Sequence, residues 1–144
     1  MIIQQERVIN VIEELVPLLV EHWEEAEKDI MISLPNPDIN TYLELDEAGI
    51  YVLVTARFEG KIVGYIGDIV HKSLHYNEYH SLNDVMYVNK DYRKTRCFSK
   101  MLKFIESIEL KMGSVARFMN LKSNSDNKKG YQKVEQVVYK RLGV

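Results

Sequence analysis

The sequence predicts an α/β protein with a mixed β-sheet, and three observations carry this prediction. Apolar residues recur at spacings of three and four within residues 4–28 and 98–112, as they do in amphipathic helices. The central segment Ile50–Phe58 is rich in β-branched and aromatic residues, as strands are. Two strand-like segments, 84–88 and 114–121, flank a helical pattern, and such a unit normally forms a parallel crossover.

The N-terminal part of the chain predicts two helices. The first covers about residues 4–28, and Pro17 is expected to kink or divide it near the preceding turn. After the turn-forming segment Leu34–Asp38, a second helix is expected to begin at Asp38, which can cap it, and to end at Gly49. The apolar stripe of the first helix consists of Val8, Ile12, Leu15, Leu19, Trp23 and Ala26.

The remaining pattern predicts strands around one long helix. Ile50–Phe58 and Lys61–Val70 form a hairpin across Glu59-Gly60, and a loop that carries His71, His75, Tyr76 and His80 follows. A helix over Phe98–Met112, closed by Gly113, separates the strand-like segments Asp84–Val88 and Ser114–Leu121. A last strand is expected within Tyr131–Leu142.

Length, charge and cysteine content limit the classes of function. The 144 residues fit one domain, and the net charge of −2 gives no general reason to expect binding to nucleic acid or a membrane. Cys97 is the only cysteine, so no intramolecular disulfide can form, which favours a reducing compartment. We find no leader-like N-terminus and no apolar run of about 20 residues, so we expect a cytoplasmic protein.

The loop between segment Asp84–Val88 and the following helix is the strongest candidate for a binding site. Ligands of open α/β sheets bind beyond the carboxyl ends of strands, where helix N-termini attract phosphate. Five cations cluster in and beside this loop, which makes a pyrophosphate site a natural hypothesis. A solvated basic face is the alternative, and nucleic-acid binding through the patch over residues 90–103 is a weaker one. The cations are Lys90, Arg93, Lys94, Arg96 and Lys100.

The segment DVMYVNKDYRKTRCFSKMLKFIE resembles the cofactor-binding motif of the GNAT acyltransferases, and the likeness is greatest to small GNAT-like proteins of bacteriophages and prophages. Further segments of the chain resemble the same group in the same order, so the resemblance covers nearly the whole sequence. It implies a three-layer fold, with about six strands and helices on both faces. If the protein is phage-encoded, it would act in the host cytoplasm. The further segments are EHWEE at 21–25, GKIVGY at 60–65, LHY at 74–76 and GYQKVEQVVYKRL at 130–142.

The resemblance implies acetyl-CoA as the acyl donor. Its pantetheine arm would pair with the backbone of Met86, Tyr87 and Val88, and its pyrophosphate would meet the start of the following helix. One departure concerns glycine, which the family uses here for close approach and positive φ. This sequence has none from Asn89 to Lys111. The residues expected to bind the pyrophosphate are Arg93, Lys94, Thr95, Arg96, Phe98 and Ser99.

Acyl transfer to an amine needs a proton acceptor, because amines of the lysine type have a pKa near 10.4. The resemblance places Asp84 where a carboxylate often serves, and His75 is a second candidate because histidine titrates near neutral pH. The family's usual leaving-group tyrosine is missing at Asp126, and Tyr131 is a substitute candidate. Cys97 is expected to pack in the core rather than act as a nucleophile.

The acceptor is expected to be an amine-bearing small molecule or protein. Its pocket would be lined by His22, Trp23, Glu25, Tyr42 and Tyr76, although the position of Trp23 on the apolar stripe favours core packing for that residue. The missing glycines and tyrosine also favour a second hypothesis, a non-catalytic GNAT-derived binding module that docks on a host or virion protein. The sequence leaves the oligomeric state open between a monomer and a homodimer formed through the last strands.

Overall fold

The computed structural model describes residues 1–29, 31 and 33–119. In these residues five strands form one sheet in the order β1-β2-β3-β4-β5, with antiparallel pairs up to β4 and a parallel β4–β5 pair. The predicted mixed α/β fold with a parallel crossover is therefore confirmed, with five strands described against about six expected. The strands are β1 (Ile2–Glu6), β2 (Tyr51–Phe58), β3 (Lys61–Ser73), β4 (Glu78–Val88) and β5 (Ser114–Phe118). The helices are α1 (Val8–His22), α2 (Ile39–Glu47) and α3 (Cys97–Lys111).

The helices cover both faces of the sheet and divide the core into two layers. On one face, α3 packs Cys97, Met101 and Ile105 against alternate residues of β2 and β3. On the other face, α1 packs its buried stripe, which includes Val8 and Leu15, against the opposite set of strand residues. This alternation follows from the period of two along a strand. Among the described residues, no helix combines the length and apolarity needed to span a bilayer.

The N-terminus departs from the predicted helix over residues 4–28. Residues Ile2–Glu6 form an edge strand that pairs with β2. The helix begins only at Val8, the first residue of the apolar stripe. Helix α1 then runs through Pro17 without the expected division. Its hydrogen-bonding pattern changes later, in a π-helical turn over Trp23–Glu27, where Lys28 N–H donates to the carbonyl of Trp23 at 2.9 Å.

Three local predictions are confirmed and one is wrong. Asp38 caps α2 by accepting from Thr41 N–H at 3.1 Å, and Gly49 and Gly113 take positive φ after their helices. The loop predicted to hold His71 and His80 is instead a continuation of β3 and β4, where these two residues lie opposite each other. These strand ends are polar and show no strand-like apolar pattern in the sequence. They form strands because pairing between neighbouring backbones does not require apolar side chains. The strand predicted within 131–142 lies outside the described residues.

Candidate active site

The corner between β4 and α3, where the sequence has no glycine, contains a left-handed turn. Residues Lys90–Thr95 form a 3₁₀ segment, which Asn89 caps by accepting from Asp91 N–H at 3.0 Å. Arg96 then takes φ 60° and ψ 18°, a left-handed conformation, and α3 begins at the next residue. This is the conformation that glycine adopts most easily, and a side chain here costs about 1–2 kcal/mol. The corner therefore keeps a glycine-like turn without a glycine.

The cations of the corner have two different environments. Arg93 lies across it, since its Nε donates to the carbonyl of Val88 at 3.0 Å and its guanidinium bonds the carboxylate of Glu25. That contact holds the pKa of Glu25 below its usual range, and the guanidinium also lies 5.8 Å from the ring centre of Tyr87. The side chains of Lys94 and Arg96 are exposed. Arg93 thus connects the turn after α1 to the end of β4, while the other two can meet a ligand from solvent.

Within the described residues, β4 pairs with β5 along its first part. Register pairs run from Tyr79↔Ser114 to Leu82↔Phe118, and the described part of β5 gives no partner to residues 83–88. Opposite β3, Gly67 pairs with Val85 and Asp68 with Asn83, so Asp84 is the additional residue of a β-bulge. Bulges are frequent beside active sites because they redirect a side chain.

Asp84 is held by two tyrosines. Its Oδ2 accepts from the hydroxyl of Tyr42 at 2.7 Å and from that of Tyr51 at 2.9 Å, and the two rings meet edge to face at 5.2 Å. Burial and the neighbouring carboxylate raise the pKa of both tyrosines, so they remain hydrogen-bond donors at neutral pH. Gly67 provides the space, because a Cβ atom there would lie 2.1 Å from the Tyr51 hydroxyl.

A second group of polar and aromatic residues lies where α1 meets β3 and β4. His22 stacks on Tyr87 with ring centres 5.1 Å apart, and its Nδ1 lies 3.0 Å from the hydroxyl of Tyr65. Its Nε2 lies 3.6 Å from Oε1 of Glu27. Burial and the neighbouring carboxylate of Glu25 raise the pKa of Tyr87 to about 12.

The structure brings together some of the predicted site residues and separates others. His22, Glu25, Tyr42 and Asp84 lie on the α1 and α2 side of the sheet, along with Tyr87. Trp23 is half-buried at the edge of this region and donates its indole N–H to the carbonyl of Met31 at 2.7 Å.

His75 and Tyr76 are at the tip of the β3–β4 hairpin, before β4 begins at Glu78. Asp84 is six residues further along β4, which corresponds to about 20 Å of extended strand. The hairpin therefore separates these two residues from Asp84. Tyr131 and Asp126 lie outside the described residues.

Other residues of the site went unrecognised in the sequence. Tyr51 and Tyr65 are each one aromatic among several in an apolar strand, and Gly67 carries no chemistry of its own. Tyr51, Tyr65 and Tyr87 share the α1 side of the sheet. The signal that would have revealed them is three tyrosines on one sheet face, which needs the strand pairing in advance. Cys97 is fully buried, as its predicted packing role requires, and burial raises the pKa of its thiol.

Comparison with solved structures shows the fold of the GNAT acetyltransferases. An acetyltransferase from Trypanosoma brucei superimposes with a TM-score of 0.74 at 12% identity, covering 98% of this chain and 100% of that one. A GNAT family acetyltransferase from Staphylococcus aureus gives 0.67 at 18% identity, covering 99% and 100%. An aminoglycoside acetyltransferase from an uncultured soil metagenome gives 0.70 at 14% identity, covering 99% and 97%.

The sequence comparisons give no closer relative. No protein-family model matches the chain, and no curated protein matches it. At identities of 11–18% the structural likeness fixes the fold, while the substrate must be argued from this chain's own residues. The resemblance to bacteriophage proteins stays a prediction.

Proposed function

We propose that the protein transfers an acetyl group from acetyl-CoA to an amine. The observation that carries this proposal is the end of β4, where the strand leads into a corner with exposed cations and a left-handed turn at Arg96 before α3. An extended ligand can add to such a strand through backbone hydrogen bonds. Acetyl-CoA has an extended pantetheine arm followed by a pyrophosphate, so its two parts match the strand and the corner in order.

The residues of the corner fit this cofactor. The backbone of Met86, Tyr87 and Val88 would pair with the pantetheine arm. The pyrophosphate would lie at the start of α3, where the helix N-terminus favours an anion. The left-handed turn at Arg96 supports this placement, because it replaces the glycine conformation that lets a backbone approach a phosphate. The surrounding groups would be Lys94, Thr95 and Arg96 with the backbone of Phe98 and Ser99.

The acceptor side of the proposed site consists of Asp84 with its two tyrosines and of the group around His22. It favours a positively charged amine. Tyr42 and Tyr51 hold Asp84 through one carboxylate oxygen, and the side chain is exposed. Tyrosine faces next to a carboxylate attract cations. We propose that Asp84, at the position where the resemblance implies a carboxylate, binds the acceptor ammonium group. The aminoglycoside acetyltransferase with this fold acts on an amine-bearing substrate, which is consistent with such a site.

Titration calorimetry with acetyl-CoA tests the cofactor half of the proposal. The wild-type protein should bind in the micromolar range, and Arg96→Ala should weaken binding by about 10-fold, because hydrogen bonds to charged groups contribute about 1.5–3 kcal/mol. Lys103→Ala is the matched control, since Lys103 is also exposed on α3 but lies beyond its first turn. Equal affinity in all three proteins would contradict phosphate binding at the corner.

A non-catalytic binding module is the second candidate function. One observation favours it: Arg93, the arginine nearest the end of β4, is already bonded to Glu25 and to Val88. The same titration separates the two hypotheses. An absence of binding at about millimolar acetyl-CoA, with the fold intact by circular dichroism, would favour the module and a protein partner.

A further inference from the structure

Three side chains form a polar path from the buried centre of the acceptor side to the surface. Tyr65 is 1% exposed, and its hydroxyl lies 3.0 Å from Nδ1 of His22. The His22 side chain is 14% exposed, and its Nε2 lies 3.6 Å from Oε1 of Glu27. The Glu27 side chain is 41% exposed. Exposure therefore increases at each step, from the sheet to solvent.

The π-helical turn accounts for the position of Glu27. In a continuous α-helix, a residue five positions after His22 would lie about 140° away around the helix axis. The π turn closes with an i→i+5 hydrogen bond, and it begins directly after His22. This wider turn brings residue 27 back to the face of residue 22, so the carboxylate lies beside the ring. π turns of this kind are frequent at functional sites.

The ring of His22 is fixed in place by its neighbours. Tyr87 on β4 stacks against it at 17°, and Tyr65 on β3 contacts it from beneath. Glu27 is a carboxylate beside its outer nitrogen, and Glu25 and Arg93 lie beside Tyr87. If Nδ1 accepts from the Tyr65 hydroxyl, the ring proton is on Nε2, which faces Glu27. Both contacts agree with this one tautomer.

We propose that Tyr65, His22 and Glu27 form a proton relay that removes the proton from the acceptor ammonium group. The proposal rests on the proposed acetyl transfer and extends it to the route of the proton. The ammonium N–H passes its proton, directly or through one water, to the oxygen of Tyr65 as the Tyr65 hydroxyl proton moves to Nδ1 of His22. The Nε2 proton moves to Glu27, directly or through one water across the separation of 3.6 Å, and then to solvent.

The chemistry of the transfer balances with this route. The neutral amine uses its lone pair to attack the thioester carbon, the C–N bond forms, and the C–S bond breaks. The second amine proton ends on the departing sulfur, so the products are the acetylated amine and the free thiol. A histidine suits this task better than a carboxylate, since histidine titrates nearest to neutral pH. In this assignment Asp84 binds the ammonium group, and the relay receives its proton.

The relay is tested by the pH dependence of turnover with acetyl-CoA. The amine probes are spermidine, sisomicin and a peptide with an N-terminal alanine. The assay measures the free thiol of coenzyme A that is released. We expect His22→Gln to lower kcat by about 100-fold, within the usual range for acid–base catalysis, and to remove the rise of kcat/KM between pH 5 and 8. Tyr65→Phe should have the same effect. Asp84→Asn should instead raise the KM of the amine and leave the shape of the pH profile unchanged.

Glu27→Gln and Glu24→Gln form a matched pair. Both change one glutamate of the same π turn, but Glu24 faces Lys28 at 3.5 Å rather than His22. Glu27→Gln should lower kcat by about 10-fold and move the rising limb to lower pH, because it removes the charge that favours a protonated ring. Glu24→Gln should match the wild type. Thermal unfolding of each variant verifies that its fold is intact.

The outcomes separate the relay from the proposed function. A wild-type protein that acetylates none of the probes at any pH would overturn acetyl transfer and the relay together. A wild-type protein that acetylates a probe, with the pH profile retained in His22→Gln and Tyr65→Phe, would overturn the relay and leave acetyl transfer intact. The relay would be established if the rise of kcat/KM between pH 5 and 8 is lost in both His22→Gln and Tyr65→Phe. In addition, this rise should move to lower pH in Glu27→Gln but not in Glu24→Gln.

Discussion

Replacing Gly67 with alanine tests whether the bulge and Tyr51 form one unit. An added Cβ would lie 2.1 Å from the Tyr51 hydroxyl oxygen, 2.8 Å from the ring carbon that carries it, and 3.1 Å from a methyl group of Val85. The first two distances are far inside van der Waals contact. The Tyr51 ring must therefore move, and its 2.9 Å hydrogen bond to Asp84 must lengthen or break.

Two costs combine in Gly67→Ala. Overpacking of a tight core typically costs 1–3 kcal/mol, and a lost hydrogen bond to a charged group costs about 1.5–3 kcal/mol. The two overlap because one ring movement causes both, so we expect the free energy of unfolding to fall by about 2–4 kcal/mol. Urea denaturation measures this as a lower midpoint with an unchanged slope.

Two further variants make the Gly67 result specific. Gly64→Ala makes the same change in the same strand, but its closest contacts, to Met101, the carbonyl of Tyr87 and Val88, are 3.1–3.2 Å, so it should cost less. Tyr51→Phe removes the atom at 2.1 Å, and the double variant with Gly67→Ala should cost about 1 kcal/mol less than the sum of the two changes. A Gly67→Ala cost equal to that of Gly64→Ala, or strict additivity with Tyr51→Phe, would refute this account of the site.

Three other substitutions have outcomes that follow from single contacts. Glu6→Gln should lower the free energy of unfolding by about 2–3 kcal/mol at pH 7 and leave it nearly unchanged near pH 2. The reason is that Arg57 and Thr55 lower the pKa of Glu6 to about 2, so the stability from ionised Glu6 is lost as the pH falls from 4.5 towards 2. Glu109 is buried beside Asp68, and both effects raise its pKa well above its usual range. Wild-type stability should therefore fall by up to about 1.4 kcal/mol per pH unit above pH 5, and Glu109→Gln should flatten that slope in urea titrations. Arg96→Gly should raise the melting temperature slightly, since relief of about 1–2 kcal/mol of strain exceeds the 0.5–1 kcal/mol entropy cost of glycine.

The periodic parts of the fold could be predicted from sequence, and the irregular parts could not. Helix α3 and the hairpin of β2 and β3 follow directly from apolar spacing and the Glu59-Gly60 turn. Strand β1 was missed because only its first two residues are apolar, and its stability comes from pairing with β2 and from the Glu6–Arg57 contact. Such contacts join residues 51 positions apart, which local patterns do not record.

The candidate site was predictable only where chemistry is visible in a single side chain. Asp84, His22 and Tyr42 could be named because each carries a polar group at a position that the resemblance marks. Their partners Tyr51 and Tyr65 belong to apolar strands, and only the sheet register places their hydroxyls beside Asp84 and His22.

Arg93 connects the acceptor side of the proposed site with the cofactor corner at the end of β4. Its role therefore differs from that of Arg96, which lies in the corner alone. The Arg93 guanidinium bonds Glu25 on the π turn while its Nε bonds the carbonyl of Val88, so Arg93 links the acceptor side to the end of β4. Arg93→Ala would leave Glu25 without its counter-ion beside Tyr87, which supports the His22 ring. We therefore expect Arg93→Ala to weaken acetyl-CoA binding and raise the KM of the amine, whereas Arg96→Ala should affect acetyl-CoA binding alone. Calorimetry and initial rates measure the two effects, and identical behaviour of the variants would mean that Arg93 contacts the cofactor and does not connect the acceptor side with the corner.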